Sequence, residues 1–186
     1  MSAYKFRVLL DSDKNQEIFR DIVINREETF ETFYNAIVAS FNFTGDQMAS
    51  FYMSNDEWDK GFEITLMDMS FDEDMPEPIA IMSENKLVDF VKDPDQKVIL
   101  VYDFMRMWIF LIELIDIVKE PVDAPKVVMS VGIAPPEDSR MIDLEEDYED
   151  EFDLDEDFED EFGGDEYEDG YDNEDYGNGG YDDYDY

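Results

Sequence analysis

The sequence predicts an α+β domain over residues 1–140, followed by a disordered acidic tail over residues 141–186. Three observations lead to this prediction. Apolar and polar residues alternate with a period of two in several segments, apolar residues recur at helical spacing in others, and the charge balance changes abruptly near residue 140. The predicted order of elements is ββα-ββ-α-ββ, which indicates helices packed on a mostly antiparallel sheet.

The first predicted elements are a β-hairpin and a helix. Strands are predicted over residues 4–10 and 18–24, separated by a polar run with the composition of a turn. Thr29 is the predicted N-cap of the helix that follows, with Glu31 in its first turn. Four apolar side chains recur at helical spacing and are predicted to pack on the sheet: Phe30, Phe33, Ile37 and Phe41.

The remaining predicted elements are four strands and a short helix. Strands are predicted over residues 49–54, 61–66, 97–104 and 107–118; the last two form a hairpin. The final strand is apolar on both faces in part, so a central position in the sheet is expected. Residues 83–92 are predicted to be a helix capped by Ser83, with inward side chains at Leu87, Val88 and Val91. Residues 120–140 contain several prolines and are expected to cover a sheet edge or to lead away from the domain.

Charge separates the two predicted parts of the chain. The whole sequence has 52 acidic and 13 basic side chains, a net charge of −39. Residues 141–186 contain 24 of the acids and no Lys or Arg, so residues 1–140 hold 28 acids, all 13 bases and a charge of −15. Self-repulsion in the tail adds to an ordering entropy of about 1–2 kcal/mol per residue, which predicts disorder for the tail alone.

Several classes of site are excluded by composition. The chain has no Cys and no His, which excludes disulfides, thiolate or imidazole metal sites and histidine general bases. It also has no glycine-rich phosphate loop of the Walker or dinucleotide-binding type. We therefore expect no cofactor and no metal. A strand-like pattern that starts at Tyr4 leaves no room for a signal peptide, and no apolar run approaches the roughly 20 residues of a membrane span. A cytoplasmic protein without a membrane partner is expected.

Direct binding of DNA or RNA is disfavoured by the same charge balance. Such binding depends on Lys and Arg side chains that neutralise phosphates, and 13 basic side chains in a chain of charge −39 are too few for a positively charged binding surface. A local basic patch formed by Lys5, Arg7, Arg20 and Arg26 is the exception that the sequence leaves open.

A group of short motifs resembles a known family. Tyr102-Asp103-Phe104, Trp108 and the later Pro135-Pro136-Glu137-Asp138, together with an aromatic and basic first strand and an aromatic-rich helix, resemble the plasmid pRiA4b ORF-3-like family over about residues 3–139. The resemblance implies a compact α+β domain and does not imply an established biochemical function. Relatives with labels such as resolvase add little, because the charge balance disfavours nucleic-acid binding.

The sequence also departs from the family pattern. Met105 and Arg106 stand where members usually have Gly-Asp, residues 47–51 replace a His-Leu-His-like stretch, and Cys is missing around the Pro-Pro-Glu-Asp segment. If the family has a polar or metal-dependent site at these positions, the resemblance implies that this chain has lost it.

Asp103 and Trp108 are the candidate site residues within the domain. One interpretation is an enzyme of unknown reaction that uses carboxylates near Asp103 and at Glu137 or Asp138, which requires them to converge in a concave pocket. The favoured interpretation is structural: Asp103 caps the hairpin turn and Trp108 fills the core.

The tail carries the strongest functional signal in the sequence. Between Asp143 and Glu161, 14 of 19 residues are acidic. Six apolar residues in and directly after this stretch are spaced so that, in a helix, all of them would lie within about 160° of one face. These residues are Leu144, Tyr148, Phe152, Leu154, Phe158 and Phe162. Like charges at i,i+4 oppose a free helix, so we expect the segment to fold on a basic partner; the alternative is a tail that only confers solubility.

The sequence therefore predicts a non-catalytic interaction module whose acidic, aromatic tail binds a basic protein surface, possible targets being nucleic-acid-binding proteins. Two alternatives stay open at this point. One is a nucleic-acid mimic that competes for a DNA- or RNA-binding protein, and the other is the enzyme described above.

Overall fold

The computed structural model describes residues 2–12, 16–68 and 79–142. The strands are β1 (Ala3–Leu10), β2 (Phe19–Asn25), β3 (Ala49–Ser54), β4 (Lys60–Thr65), β5 (Ala80–Ile81), β6 (Lys97–Tyr102), β7 (Trp108–Val118) and β8 (Lys126–Val131). The helices are α1 (Phe30–Ser40) and α2 (Leu87–Phe90), and a 3-10 turn spans Glu137–Ser139. The predictions for residues 143–186 lie outside the described residues.

The strands of the described residues form one sheet in the order β5-β4-β3-β6-β7-β1-β2-β8. All neighbours pair antiparallel except β4 and β5, which are parallel. The predicted α+β class and mostly antiparallel sheet are confirmed. The central position predicted for β7 is also confirmed, since β6 flanks it on one side and β1 on the other.

Helix α1 begins and packs as its sequence predicts. The Thr29 hydroxyl accepts a hydrogen bond from the Thr32 amide at 3.2 Å, which satisfies one of the free donors of the first turn. Phe30, Phe33 and Ile37 are fully buried, and Phe41, the C-cap residue, is 1% exposed. This face covers the sheet because its side chains recur every three or four residues.

The core between α1 and the sheet consists largely of aromatic rings. Phe33 lies 4.6 Å from Phe6 of β1 and 5.8 Å from Phe51 of β3, measured between ring centroids. At the other end of α1, Phe41 lies 4.9 Å from Phe110 of β7. Each buried ring of this size contributes about 1.5–3 kcal/mol, so these contacts fix the helix on the middle of the sheet.

The helix predicted over residues 83–92 is shorter in the structure, and Ser83 is not its cap. Helix α2 spans four residues with Lys86 at the N-cap position, and Val88 is only half-buried, although Leu87 and Val91 are fully buried. The backbone before α2 is engaged elsewhere: the carbonyls of Met82 and Asn85 accept hydrogen bonds from amides at the start of α1. Tertiary pairing thus prevents an earlier helix start.

The predicted six-strand order was also incomplete, because β5 and β8 were not predicted. Strand β5 has two residues, too few for a periodic pattern. Strand β8 begins directly after Pro125 and pairs antiparallel with β2, from Phe19 opposite Val131 to Val23 opposite Lys126. Proline is tolerated at the start of an edge strand, so the proline-containing segment covers the free edge of β2, one of the two expected outcomes.

Gly132 ends β8 in a conformation that other residues rarely adopt. Its φ is +75°, and a Cβ atom there would lie 2.6 Å from the Glu17 carbonyl oxygen. We expect Gly132→Ala to lower the free energy of unfolding by about 1–3 kcal/mol, through backbone strain and this overlap. Urea unfolding followed by circular dichroism measures the change.

The matched control is Ser130→Ala, two residues earlier on the exposed strand. It is expected to change the free energy of unfolding by less than about 0.5 kcal/mol. Equal unfolding midpoints for Gly132→Ala and the unsubstituted chain would contradict the prediction.

Candidate functional site

The turn between β6 and β7 is organised by the Asp103 side chain. Its carboxylate accepts hydrogen bonds from the amides of Met105 at 3.0 Å and Arg106 at 3.1 Å, and the Arg106 guanidinium lies 3.4 Å away. Asp103 itself has a φ of 58° and is 3% exposed. The prediction that Asp103 caps this turn is confirmed. A buried aspartate suits this position because its short side chain bonds to the following backbone.

Glu137 attaches the chain after β8 to the end of the sheet. Its carboxylate accepts hydrogen bonds from the Thr44 amide at 2.8 Å and from the Tyr102 hydroxyl, and the Thr44 hydroxyl oxygen lies 3.0 Å from it. Its backbone carbonyl accepts a hydrogen bond from the Trp108 indole at 3.0 Å. A single residue therefore joins the end of α1, the end of β6 and the start of β7. We call residues 132–142 the anchor segment.

Two concave sites lie beside the anchor segment. The first, which we call the acidic cavity, has a volume of about 310 Å³ and is lined by Thr44, Asp46, Gln47, Asp103, Arg106, Glu137 and Asp138. The second, which we call the proline cavity, has a volume of about 410 Å³, and its lining includes Trp108, Ile133, Pro135, Pro136 and Arg140. The Arg140 guanidinium lies 5.5 Å from the Trp108 ring, a cation–π contact at the wall of the proline cavity.

The electrostatics of the acidic cavity follow from its hydrogen bonds. Burial raises the pKa of Tyr102, and its hydrogen bond to the Glu137 carboxylate raises it further. The hydroxyl of Thr44 lowers the pKa of Asp46 by donating a hydrogen bond to its carboxylate. Arg106 Nε is buried and has no hydrogen-bond partner among the residues described here. The cavity thus combines an ionised surface carboxylate with an incompletely satisfied guanidinium.

The chemistry of the acidic cavity is limited by how its carboxylates are used. Asp103, Glu137 and Asp138 line one concavity, which is the condition that the enzyme interpretation requires. Asp103, however, is occupied by the β6–β7 turn, and Glu137 by the hydrogen bonds that fix the anchor segment. Among the described residues, no group of three or more acidic side chains has a geometry that could hold a metal ion.

The structure brings together most of the motif residues within the domain. Asp103, Glu137 and Asp138 line the acidic cavity, and Tyr102 bonds to Glu137. The core position predicted for Trp108 is confirmed by its 3% exposure. Pro135 and Pro136 lie instead in the proline cavity, and Phe104 is 40% exposed. The six predicted tail residues are outside the described part of the chain: Leu144, Tyr148, Phe152, Leu154, Phe158 and Phe162.

Sequence reasoning did not find Thr44, Asp46 or Arg140 as site residues. Thr44 and Glu137 are 93 positions apart, so no local pattern links them. Gln47 and Arg106 were noted only because they depart from the family pattern. Both line the acidic cavity, so these departures meet at one place in the fold.

Three of the four side chains in the basic patch that the sequence left open are engaged within the domain. Arg7 forms an ion pair with Asp21 at 2.8 Å, and Arg26 lies 3.5 Å from Glu27. Arg20 is 6% exposed, donates to the backbone carbonyls of Ser40, Phe19 and Val131, and stacks on Phe41. These three guanidinium groups are therefore engaged within the domain, which weakens a basic patch that depends on them.

Comparison with known proteins gives one family match and one similar fold. The sequence profile of the family described as plasmid pRiA4b ORF-3-like protein matches residues 2–177, which extends well past the expected limit of residue 139 into the acid-rich segment. The fold is similar to the crystal structure of MM3350, a protein of unknown function from Methanosarcina mazei Go1, with a TM-score of 0.60 and 22% identity. That match covers 75% of this chain and 74% of the other.

A search of curated proteins gave no match. Within residues 2–12, 16–68 and 79–142, no helix is both long and apolar enough to cross a membrane.

Replacement of Glu137 tests its role in fixing the anchor segment. Glu137→Ala leaves the Thr44 amide and the Tyr102 hydroxyl without their acceptor, so we expect the free energy of unfolding to fall by about 1–3 kcal/mol. Chemical denaturation measures this loss. The control is Asp138→Asn, since Asp138 is exposed and adjacent; we expect less than about 0.5 kcal/mol. Equal effects of the two substitutions would refute the assigned role.

Alkaline pH tests the environment of Tyr102. Its pKa is raised above the ordinary value of 10.0, so the unfolded chain releases the phenolic proton before the folded chain does. The stabilisation is complete below about pH 10 and is lost as the pH rises through the raised pKa. We expect unfolding free energies measured between about pH 8 and 11.5 to fall less steeply in Tyr102→Phe than in the unsubstituted chain. Parallel pH profiles would contradict this.

Proposed function

The chain belongs to the plasmid pRiA4b ORF-3-like family, and from this premise we propose that it is a non-catalytic interaction protein whose acidic, aromatic tail binds a basic protein surface. The family does not supply an established activity, and the similar crystal structure is itself of a protein of unknown function. The proposal therefore depends on the residues of this chain.

The observation that carries the proposal is the charge asymmetry of the chain. Residues 141–186 contain 24 Asp and Glu and no Lys or Arg, together with regularly spaced aromatic residues. A polyanionic segment attracts a basic surface over about one Debye length, roughly 8–10 Å at physiological salt, and this raises the association rate. The rings then supply apolar contact that charge alone does not give.

The charges of the domain support a protein partner over nucleic acid. Five of its basic side chains form ion pairs with acidic residues: Arg7, Arg26, Lys86, Lys97 and Arg106. Arg20 is buried. With these groups engaged and a net charge of −15 over residues 1–140, phosphate neutralisation by this domain is unfavourable.

The domain would contribute a fixed starting point for the tail. Glu137 is bonded to Thr44 and Tyr102 a few residues before residue 141, so the chain is fixed to the domain shortly before the tail begins. A tail tethered next to a docked domain has a high effective concentration at a neighbouring basic surface, and weak tail contacts then suffice.

An enzyme that uses the acidic cavity is the second candidate. Its supporting observation is that Asp103, Glu137 and Asp138 line the same concavity. A substrate that needs these groups as acids or bases would compete with the bonds that hold the turn and the anchor segment. The interaction role is favoured because it does not require these bonds to break. A substrate screen with Asp138→Asn as comparison separates the two, since loss of a measured turnover would support the enzyme.

Titration of the isotope-labelled full-length chain with the basic protein cytochrome c tests the proposed function. We expect chemical-shift changes at Phe152 and Phe158 at about 50 mM salt, and a several-fold loss of affinity as the salt concentration rises fourfold. Lack of any shift at moderate salt, or an affinity that does not depend on salt, would contradict the proposal.

Replacing Phe152, Phe158 and Phe162 with Ser provides a matched control that keeps every charge. We expect this variant to bind more weakly and with the same salt dependence, because only the aromatic contribution is removed. Affinity purification from native cells with full-length and tail-deleted chains then identifies the partner. A chain that lacks residues 141–186 and retains every association would argue against a role of the tail.

A further inference from the structure

The proline cavity combines apolar walls with two opposite charges. Its volume of about 410 Å³ lies within the roughly 300–1,000 Å³ that is usual for small-molecule sites. Most of its lining is apolar and comes from Ile18, Trp108 and residues 133–136. The lining also includes an acidic side chain, Asp11, and a basic one, Arg140. Apolar walls with a few polar groups that fix orientation are typical of a site for a small organic ligand.

Backbone hydrogen bonds fix the wall that carries Asp11. The Leu10 amide donates to the Ile18 carbonyl at 2.8 Å, and the Asp11 amide donates to the Ile109 carbonyl at 2.9 Å. Ile18 is 4% exposed and belongs to the core. The backbone of Asp11 is therefore held against β7, directly after the end of β1.

The anchor segment fixes the wall that carries Arg140. The Trp108 indole donates to the Glu137 carbonyl at 3.0 Å, and the Ser139 amide donates to the Pro136 carbonyl at 3.0 Å. The cation–π contact with Trp108 places the Arg140 guanidinium, with 5.5 Å between that group and the ring centroid. Both walls are thus formed by contacts within the domain. A ligand that enters loses little affinity to ordering of the protein.

The two charges of the cavity are not neutralised by neighbouring side chains. Within residues 2–12, 16–68 and 79–142, neither Asp11 nor Arg140 takes part in an ion pair. A guanidinium group binds a carboxylate through two parallel hydrogen bonds, and a carboxylate accepts hydrogen bonds from an ammonium group. The cavity is therefore suited to a ligand that carries a carboxylate and an ammonium group together with an apolar part.

The net charge of the protein favours such a ligand over a simple anion or a simple amine. Residues 1–140 carry −15 and the whole chain −39, so an anion is repelled as it approaches. An amine is attracted but leaves Arg140 without a partner. A zwitterion has no net charge and satisfies both side chains. We propose that the proline cavity binds a free α-amino acid with a large apolar side chain, its carboxylate at Arg140 and its ammonium group at Asp11.

Titration of the isotope-labelled full-length chain with L-phenylalanine tests this site. We expect saturable chemical-shift changes at the amides of Ile133 and Ala134. The matched probes are 3-phenylpropionate, which lacks the ammonium group, and 2-phenylethylamine, which lacks the carboxylate. Each is expected to bind at least tenfold more weakly than phenylalanine. Lack of a saturable shift up to about 10 mM phenylalanine, or equal affinity for either matched probe, would overturn the proposal.

Two substitutions assign the charges to their groups. Arg140→Gln and Asp11→Asn are each expected to lower the affinity for phenylalanine at least tenfold. The control is Lys119→Gln, which removes a positive charge beside a different cavity and is expected to leave the affinity unchanged. Urea unfolding verifies that each variant is folded, and Asp11→Asn decides the test if Arg140→Gln is not. Undiminished binding by a folded Arg140→Gln or Asp11→Asn chain, or an equal loss in Lys119→Gln, would refute the site.

This site is independent of the proposed role of the tail. The titrations use the chain alone with a ligand of no net charge, so they can fail while binding to cytochrome c persists. Conversely, the substitutions at Arg140 and Asp11 are expected to leave the chemical-shift changes that cytochrome c causes at Phe152 and Phe158 in place.

Discussion

The structure depends on the packing of one three-turn helix against the middle of a wide sheet. Rings of α1 contact β1, β3 and β7 through Phe6, Phe51 and Phe110, and Tyr34 of α1 lies 6.2 Å from Tyr102 of β6. A helix of eleven residues is about 16 Å long, too short to cover eight strands about 4.8 Å apart. Large aromatic side chains extend its reach, and the outer strands need other cover.

The anchor segment supplies cover at one end of the sheet. Its attachment uses a carboxylate acceptor at a half-buried position, which is stable because the Thr44 amide and the Tyr102 hydroxyl both donate to Glu137. The same hydrogen bonds bring Thr44, after α1, next to Tyr102, at the end of β6. The acidic cavity thus forms where the anchor segment attaches to the sheet, and Glu137 serves first of all in that attachment. Strand β8, in contrast, is covered by neither α1 nor the anchor segment, and all six of its residues are exposed.

Sequence patterns predicted the elements whose contacts are local or periodic. Thr29, Phe30 and Phe33 identified α1 because capping and helical spacing are properties of neighbouring residues. The predicted start of α2 was wrong because the carbonyls of Met82 and Asn85 accept hydrogen bonds from the first amides of α1, a pairing that no local pattern contains. Asp103 was predicted correctly as a turn cap for the same local reason. The contacts of Glu137 were not predicted, since its partners lie 35 and 93 positions away.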